Sequence, residues 1–473
     1  MVKRNAAILM AAQIVSKGAG LAALVVLANY LGAGLFGTYA FALAFTTLFI
    51  PLLDFGMDAY GVREMARDHT RVPSYLGSML LMKLALAGLS FFLIWWVIRL
   101  LHYPALTRHL VCLAGWITIV RTYANSFVAV FRSYQRMEYE ALVMVLGKLL
   151  EAAATFAGVV FFLSIDSILY WTLAATVLVL MLAYRVSSRT FARPAFRIRR
   201  ELWIRLLKGG LPFTLTGVFV MVYFKMNNVL LSKMVGDKAV GLYDSATNLI
   251  YPLTVISAAI VTAVFPAISR HAHRQREKAV QSYLQAIKFS LMIALPMALG
   301  IYVLADRIYV LLYKPEFFEA VPALKILSAL LPVIFITNVF GNTLGAADRQ
   351  GIVFGVSVLN AAVNVALNVF LIPRFGYNGS AAAAVLTEAL GFCILSHFLK
   401  KHFSSVSIRR VLLKTASYSV FLIPVLLLKP VLNVFILVPL AVLVYSIVLF
   451  LFKEITPGDV RAMAGWMSGR KGT

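Results

Sequence analysis

Two apolar runs, Ala6 to Leu31 and Phe36 to Met57, hinged on Leu31-Gly32-Ala33-Gly34 and closed by the basic segment Val62 to Arg71, dictate what this chain can fold into. Each exceeds the ~20 apolar residues needed to cross a ~30 Å hydrocarbon core, so both read as transmembrane helices. Backbone in hydrocarbon must satisfy its own hydrogen bonds, which leaves helices or closed barrels. The runs lack the alternating, roughly ten-residue pattern of a barrel strand. The expected fold class is therefore an all-α polytopic membrane protein.

Composition agrees. The 473 residues are 61% hydrophobic and 13% charged, against roughly 45–50% and about 25% in soluble proteins. A formal charge of +25 would suggest nucleic acid in a soluble chain, but here the charge lies in the loops, and no nucleic-acid partner is expected. The basic Met1 to Arg4 followed by an apolar run resembles a signal peptide, yet the run is too long, holds Gln13 and Lys17 and lacks a small-residue cleavage site, so it reads as the first helix. Cys112 and Cys393 sit in separate apolar runs without metal-ligand spacing and read as core thiols. His271 and His273 fall in a basic loop and read as solvated, and no metal site is expected.

Fourteen spans are predicted: 5–31, 36–57, 77–101, 109–131, 141–163, 167–184, 209–232, 242–268, 283–305, 321–347, 351–373, 378–399, 411–428 and 431–452. With the N-terminus inside, 29 of the 44 lysines and arginines fall in cytoplasmic segments and eight in the opposite loops. By the positive-inside rule this puts both termini in the cytoplasm. The most basic linker, 185–208, then separates a six-helix lobe, 1–184, from a second, 209–399; residues 400–473 add two helices and a cytoplasmic tail.

The lobes carry a repeat. Leu31 to Ala42 matches Val235 to Ala246 at an offset of 204, both reading hydrophobic-Gly and then Gly-x-Tyr, and at nearly the same offset Lys83 falls on Lys288. Six spans per copy keep both copies in one orientation. That predicts two six-helix bundles related by a pseudo-twofold along the membrane normal, with a cavity between them.

Seven cations lie inside the predicted spans. Lys83, Lys288 and Lys325 are near helix ends, where a long side chain snorkels to the interface. Lys17, Arg121, Lys148 and Lys225 sit deeper, and a mid-bilayer cation costs about 2.5–3.5 kcal/mol on insertion scales. Lys17 shares a helical face with Gln13 and Gly20; Arg121 with Thr118, Thr122 and Asn125; Lys225 with Thr214, Met221, Asn228 and Ser232. Such polar stripes face protein or water. The clearly mid-span acids are Glu151 and Glu388, too few to neutralise four deep cations. The surplus points to a water-filled cavity receiving an anionic substrate.

Glu151, three residues from Lys148, can pair with it or change protonation during transport. Asn360, Asn364 and Asn368 repeat at i, i+4, and Asn338 and Asn342 lie on the preceding helix. These amides can hold helices together or offer oxygens to sodium, with Asn228, Thr387 or Glu388 contributing. A coupling ion, Na+ or H+, is thus open, and no resident cofactor is expected. No nucleophile elbow, Walker loop or H-E-x-x-H occurs, and the largest outer loop, 306–320, is too short for a catalytic domain. No catalytic residue is assigned.

The pattern Gln13-Ile14-Val15-Ser16-Lys17, Tyr30-Leu31-Gly32, Phe36-Gly37-Thr38-Tyr39-Ala40, Asp54-Phe55-Gly56 and Arg63-Glu64-Met65-Ala66-Arg67 resembles the opening of polysaccharide flippases of the Wzx type, in the multidrug/oligosaccharidyl-lipid/polysaccharide (MOP) exporter superfamily. The resemblance continues in Val240 to Tyr243, Phe265 to Arg270, Gly345 to Arg349, and Leu359-Asn360 through Gly376 to Ala382. It implies a secondary transporter, not an enzyme, that flips an undecaprenyl-diphosphate-linked oligosaccharide for surface polysaccharide such as O-antigen. Two lobes would rock in alternating access, in a bacterial cytoplasmic membrane. Membrane lipids and polymerase machinery would be partners, and a monomer would suffice. The related lipid II flippases are expected to use an arginine cluster, whereas this chain offers mostly lysines with Arg121, and lysine meets phosphate as a point charge. The alternatives are a drug exporter of the same superfamily, which would present acids to cationic drugs, and a membrane glycan polymerase or ligase, which would need larger outer loops.

Overall fold

A computed structural model describes residues 2–271, 275–403 and 409–454. His273 and the basic tail from residue 455 lie outside the described residues, as does the side chain of His271. The described residues are mainly helical, and ten helical stretches among them are long and apolar enough to cross a membrane. It divides into two compact units, 1–244 and 245–473.

The first unit holds α1 (Val2–Thr47), α2 (Ile50–Asp54), α3 (Met57–Arg67), α4 (Val72–Leu100), α5 (Ala105–Ser133), α6 (Met137–Val160), α7 (Ile165–Thr190), α8 (Arg200–Met234) and the start of α9 (Asp237–Ile250). The predicted hinge is real but short: Gly32, at φ 74° and ψ 166°, breaks α1 and helix resumes at once. The predicted span 36–57, by contrast, is not one helix. Pro51 cannot donate to residue 47 and its ring meets that carbonyl, so α1 stops at Thr47. Phe55 and Gly56 then take left-handed conformations, φ 48° and 64°, and turn the chain into α3. Met57, Met65, Leu76, Met79, Phe131, Val143 and Leu206 bury one end of the unit's core.

The repeat seen in sequence is a contact in space. A Cβ on Gly37 would lie 1.7 Å from the carbonyl oxygen of Asp237, and one on Gly241 would lie 2.1 Å from that of Ala33. These pairs are equivalent under the offset of 204, so the two Gly-x-Tyr motifs pack on each other reciprocally. Thr38 and Ser232 both donate to the Asp237 carboxylate and fasten the contact. Small residues let membrane helices approach this closely.

The second unit holds the end of α9, then α10 (Thr254–His271), α11 (Arg276–Leu312), α12 (Val321–Ser328), α13 (Leu330–Ala346), α14 (Gln350–His402), α15 (Arg409–Val420), α16 (Ile423–Leu426) and α17 (Val434–Leu451). The predicted span 321–347 breaks after Ser328, four residues before Pro332, for the reason given for Pro51. α14 reverses at Gly376, φ 55° and ψ −136°. A Cβ on Gly379 would stand 2.4 Å from the carbonyl oxygen of Leu371, a contact impossible along a straight helix. Cys393, expected in the core, lies exposed on α14.

Lys288 does not snorkel as expected: it meets Glu454 at 2.7 Å, and Lys414 and Tyr418 bind the same carboxylate. Burial pushes Glu454 up, but hydrogen bonds from Lys288, Lys414 and Tyr418 outweigh it and hold its pKa at about 2. Its contribution is complete above the ordinary carboxylate range and lost only as pH falls through about 2. That ties α11, α15 and the end of α17 together at neutral pH.

The reciprocal contact predicts a graded series. Gly37→Ala and Gly241→Ala should each cost about 1–3 kcal/mol by overpacking, seen as a Tm several degrees lower in detergent. Gly34→Ala, with open space around it, should leave Tm unchanged.

Candidate functional site

α5 and α6 bring three of the predicted residues together. Glu151 accepts from Arg121 Nη2 at 2.6 Å and from Lys148 Nζ at 2.9 Å. One carboxylate thus serves two cations, leaving the trio at net +1. The Arg121 and Lys148 side chains remain 47% and 39% exposed, whereas Glu151 is 17% exposed. The Lys148 stem lies against Gly20 of α1, where a Cβ would come within 2.7 Å of its Cε. Gly20 is one turn from Lys17 along α1. Lys17 is exposed and has no hydrogen bond or ion pair among the described residues.

Lys225, on α8, is half-buried and likewise has no such partner among the described residues. Its stripe mates are engaged: Asn228 donates to Asp244 at 3.1 Å, Ser232 to Asp237, and Thr214 to the Gly210 carbonyl. The predicted stripe of α5 is divided. Thr118 and Thr122 are buried, Thr118 donating to Thr46 Oγ1 at 3.1 Å, while Arg121 and Asn125 are exposed. A threonine hydroxyl can satisfy itself inside a helix bundle, but a guanidinium needs a counter-charge or water.

Sequence reasoning misplaced Lys83. Expected to snorkel, it is fully buried, its Nζ 2.8 Å from both Asp54 and Asp58 and 2.6 Å from Ser126 Oγ, with the Thr122 carbonyl at 3.2 Å. The left-handed turn at Phe55-Gly56 aims the two aspartates at one ammonium; Asp54 also accepts from the backbone N–H of Asp58. Gly56 and Gly210 allow this turn to press on α8, where a Cβ on either would fall within 2.3 Å of a carbonyl oxygen. The pairing was hidden because Asp54 closes the predicted span 36–57 and Asp58 lies just beyond it, while Lys83 sits on the next span.

In the second unit the asparagine stripe lies inside the α14 reversal. Asn364 donates to Thr387 Oγ1 at 3.3 Å, Ser380 to Asn368 at 2.6 Å, and Asn360 packs on Gly391 with its Oδ1 buried and unpartnered. Glu388 accepts from Thr337 at 3.3 Å, and Asn338 donates to Ser257. Among the described residues no cluster of three histidine, cysteine or acidic side chains has metal-binding geometry.

An all-α polytopic membrane protein with ionic chemistry held on spanning helices is the class these observations define. A solved lipid II flippase, MurJ, in an inward closed conformation superposes with a TM-score of 0.79 over 94% of this chain and 99% of that one, at 18% identity. An inward-facing multidrug transporter of the MATE family within the MOP superfamily gives 0.63 over 85% and 96%, at 17% identity. At such identities the likeness is one of fold. The chain belongs to the polysaccharide biosynthesis protein family, which matches residues 2–272, and MatE matches residues 212–370. It is 25% identical over 243 residues to a probable low-salt glycan biosynthesis flippase, Agl15, of Haloferax volcanii, covering 51% of each chain. The chain thus spans about half the length of the curated relatives it matches.

The buried cluster predicts an asymmetry. Lys83→Met strands two carboxylates and should cost about 3 kcal/mol or more, lowering both Tm and the amount of protein in the membrane. Adding Asp54→Asn and Asp58→Asn should recover most of that loss.

Proposed function

We propose that this chain is a transporter, not an enzyme, that flips a lipid-linked glycan with an anionic head group across a membrane. The observation that carries the reading is the unneutralised positive charge on the helices of the first unit: Lys17 and Lys225 without partners among the described residues, together with an Arg121–Glu151–Lys148 trio of net +1. Exposed cations at mid-helix cannot face lipid without a large cost, so they line a hydrated path. A polyprenyl diphosphate supplies the matching anion whatever glycan it bears. Such charges would draw the head group off the membrane surface while its lipid tail stays in hydrocarbon. The name of the Haloferax relative, a glycan biosynthesis flippase, and the match to the polysaccharide biosynthesis family support the same substrate class.

The mechanism we propose is alternating access through fourteen crossings with both termini on one side. That count takes the kinked helices α1 and α14 as two crossings each and adds α5 and the α15–α16 segment. Because Glu151 balances two cations, protonating it would add positive charge to the path, which makes it the proposed coupling group for a proton-driven cycle. The neutral Asn364–Thr387 pair and Glu388 are the proposed alternative for sodium. The MATE-like fold keeps a drug exporter as the second reading; the cationic character of the path disfavours it, because exported drugs are mostly cations.

Lys17→Ala and Lys225→Ala, combined in a strain whose own copy is deleted, should lower export of surface glycan by about tenfold or more, the worth of one or two charge-assisted contacts. Membrane levels of the protein should stay normal, since neither lysine supports a neighbour. Undiminished export would sink the cationic-path reading.

A further inference from the structure

At the α4–α5 turn, Arg99, Arg108 and His109 converge on a pocket of about 270 Å³ floored by Ile98, Ala105 and Cys112. Neither guanidinium has an ion pair or hydrogen bond among the described residues. The Nε of Arg108 is buried without a partner, and Arg99 is fixed by stacking on Trp95, its Cζ 4.1 Å from the ring centroid. Asp166 stands 3.7 Å from His109 Nε2 and pairs with neither guanidinium. A buried guanidinium N–H without an acceptor is costly, so a ligand oxygen is the missing partner.

Position narrows the ligand. α4 has 29 residues and so spans about 43 Å. Its first turn is tied to the arginine-rich linker, where Ala195 donates to the Pro73 carbonyl at 2.8 Å, so the pocket lies at the opposite membrane face. Trp96, Leu100 and Leu106 are exposed beside it. Tryptophan and long apolar side chains around a paired-arginine site mark the depth of lipid head groups. Two guanidiniums match the oxygens of a phosphodiester, and Trp95 with the apolar floor matches the stem below it. We infer that this pocket binds the phosphate of an anionic phospholipid, an interaction separate from transport substrate.

The test uses the full chain in bilayers of phosphatidylcholine with a minority of phosphatidylglycerol, the retained lipids being weighed by native mass spectrometry. Arg99→Gln with Arg108→Gln should reduce bound phosphatidylglycerol about fivefold or more and leave phosphatidylcholine unchanged. Arg99→Gln alone, at an exposed position whose contact with Trp95 lies on the helix surface, should give an intermediate loss, so the inference is tested even if the double variant misfolds. Equal retention by wild type and Arg99→Gln overturns it. So does displacement of phosphatidylglycerol from the wild type by inorganic phosphate, which would assign the pocket to free phosphate.

Discussion

A charge held away from water must be met by an opposite charge, a set of dipoles or water let in. The first unit holds cations that protein answers and cations that it leaves unanswered. Lys83 is answered completely, by two aspartates, a hydroxyl and a carbonyl, and it disappears from the surface. Lys17 and Lys225 have no ionic or hydrogen-bond partner among the described residues, and Arg121 and Lys148 share a single acid. The first solution fixes α2, α3, α4 and α5 as a block. The second is the basis of the proposed hydrated path along the helices that carry it.

Backbone proximity is the other constraint. Gly37 and Gly241 set the spacing of one contact, and Gly56 and Gly210 that of another, each with a carbonyl where a side chain would be. The first contact joins the two copies of a repeated motif; the second presses the Asp54-Phe55-Gly56 turn onto α8. The turn that orients the acids toward Lys83 therefore depends on two glycines some 150 residues apart in sequence. Packing and electrostatics here are one arrangement.

Much of this was legible in the sequence, and what was not has identifiable causes. Gly32 and Gly376 announced the breaks because they sit between long apolar runs. The repeat was visible as an offset, though its meaning as a glycine-on-glycine contact required coordinates. Lys83 was misjudged because distance from a predicted helix end stood in for depth: the predicted span starts at 77, whereas α4 starts at Val72, which puts Lys83 three turns inside it. Glu454 could not be assigned to Lys288 since 166 residues separate them. The Arg121 stripe does lie on one side of the helix, within about 100° of arc, but Thr118 and Thr122 are buried while Arg121 and Asn125 are exposed, a difference set by the neighbouring helices and not by spacing along α5.

The central claim is that the path takes an anion. Its most direct measurement is translocation in vesicles containing the purified protein, comparing a fluorescent oligosaccharide on a polyprenyl diphosphate with the same oligosaccharide on an uncharged polyprenyl ether. The account predicts protein-dependent flipping of the diphosphate-linked lipid, lost at high salt, and none of the uncharged one. Equal flipping of both would contradict it.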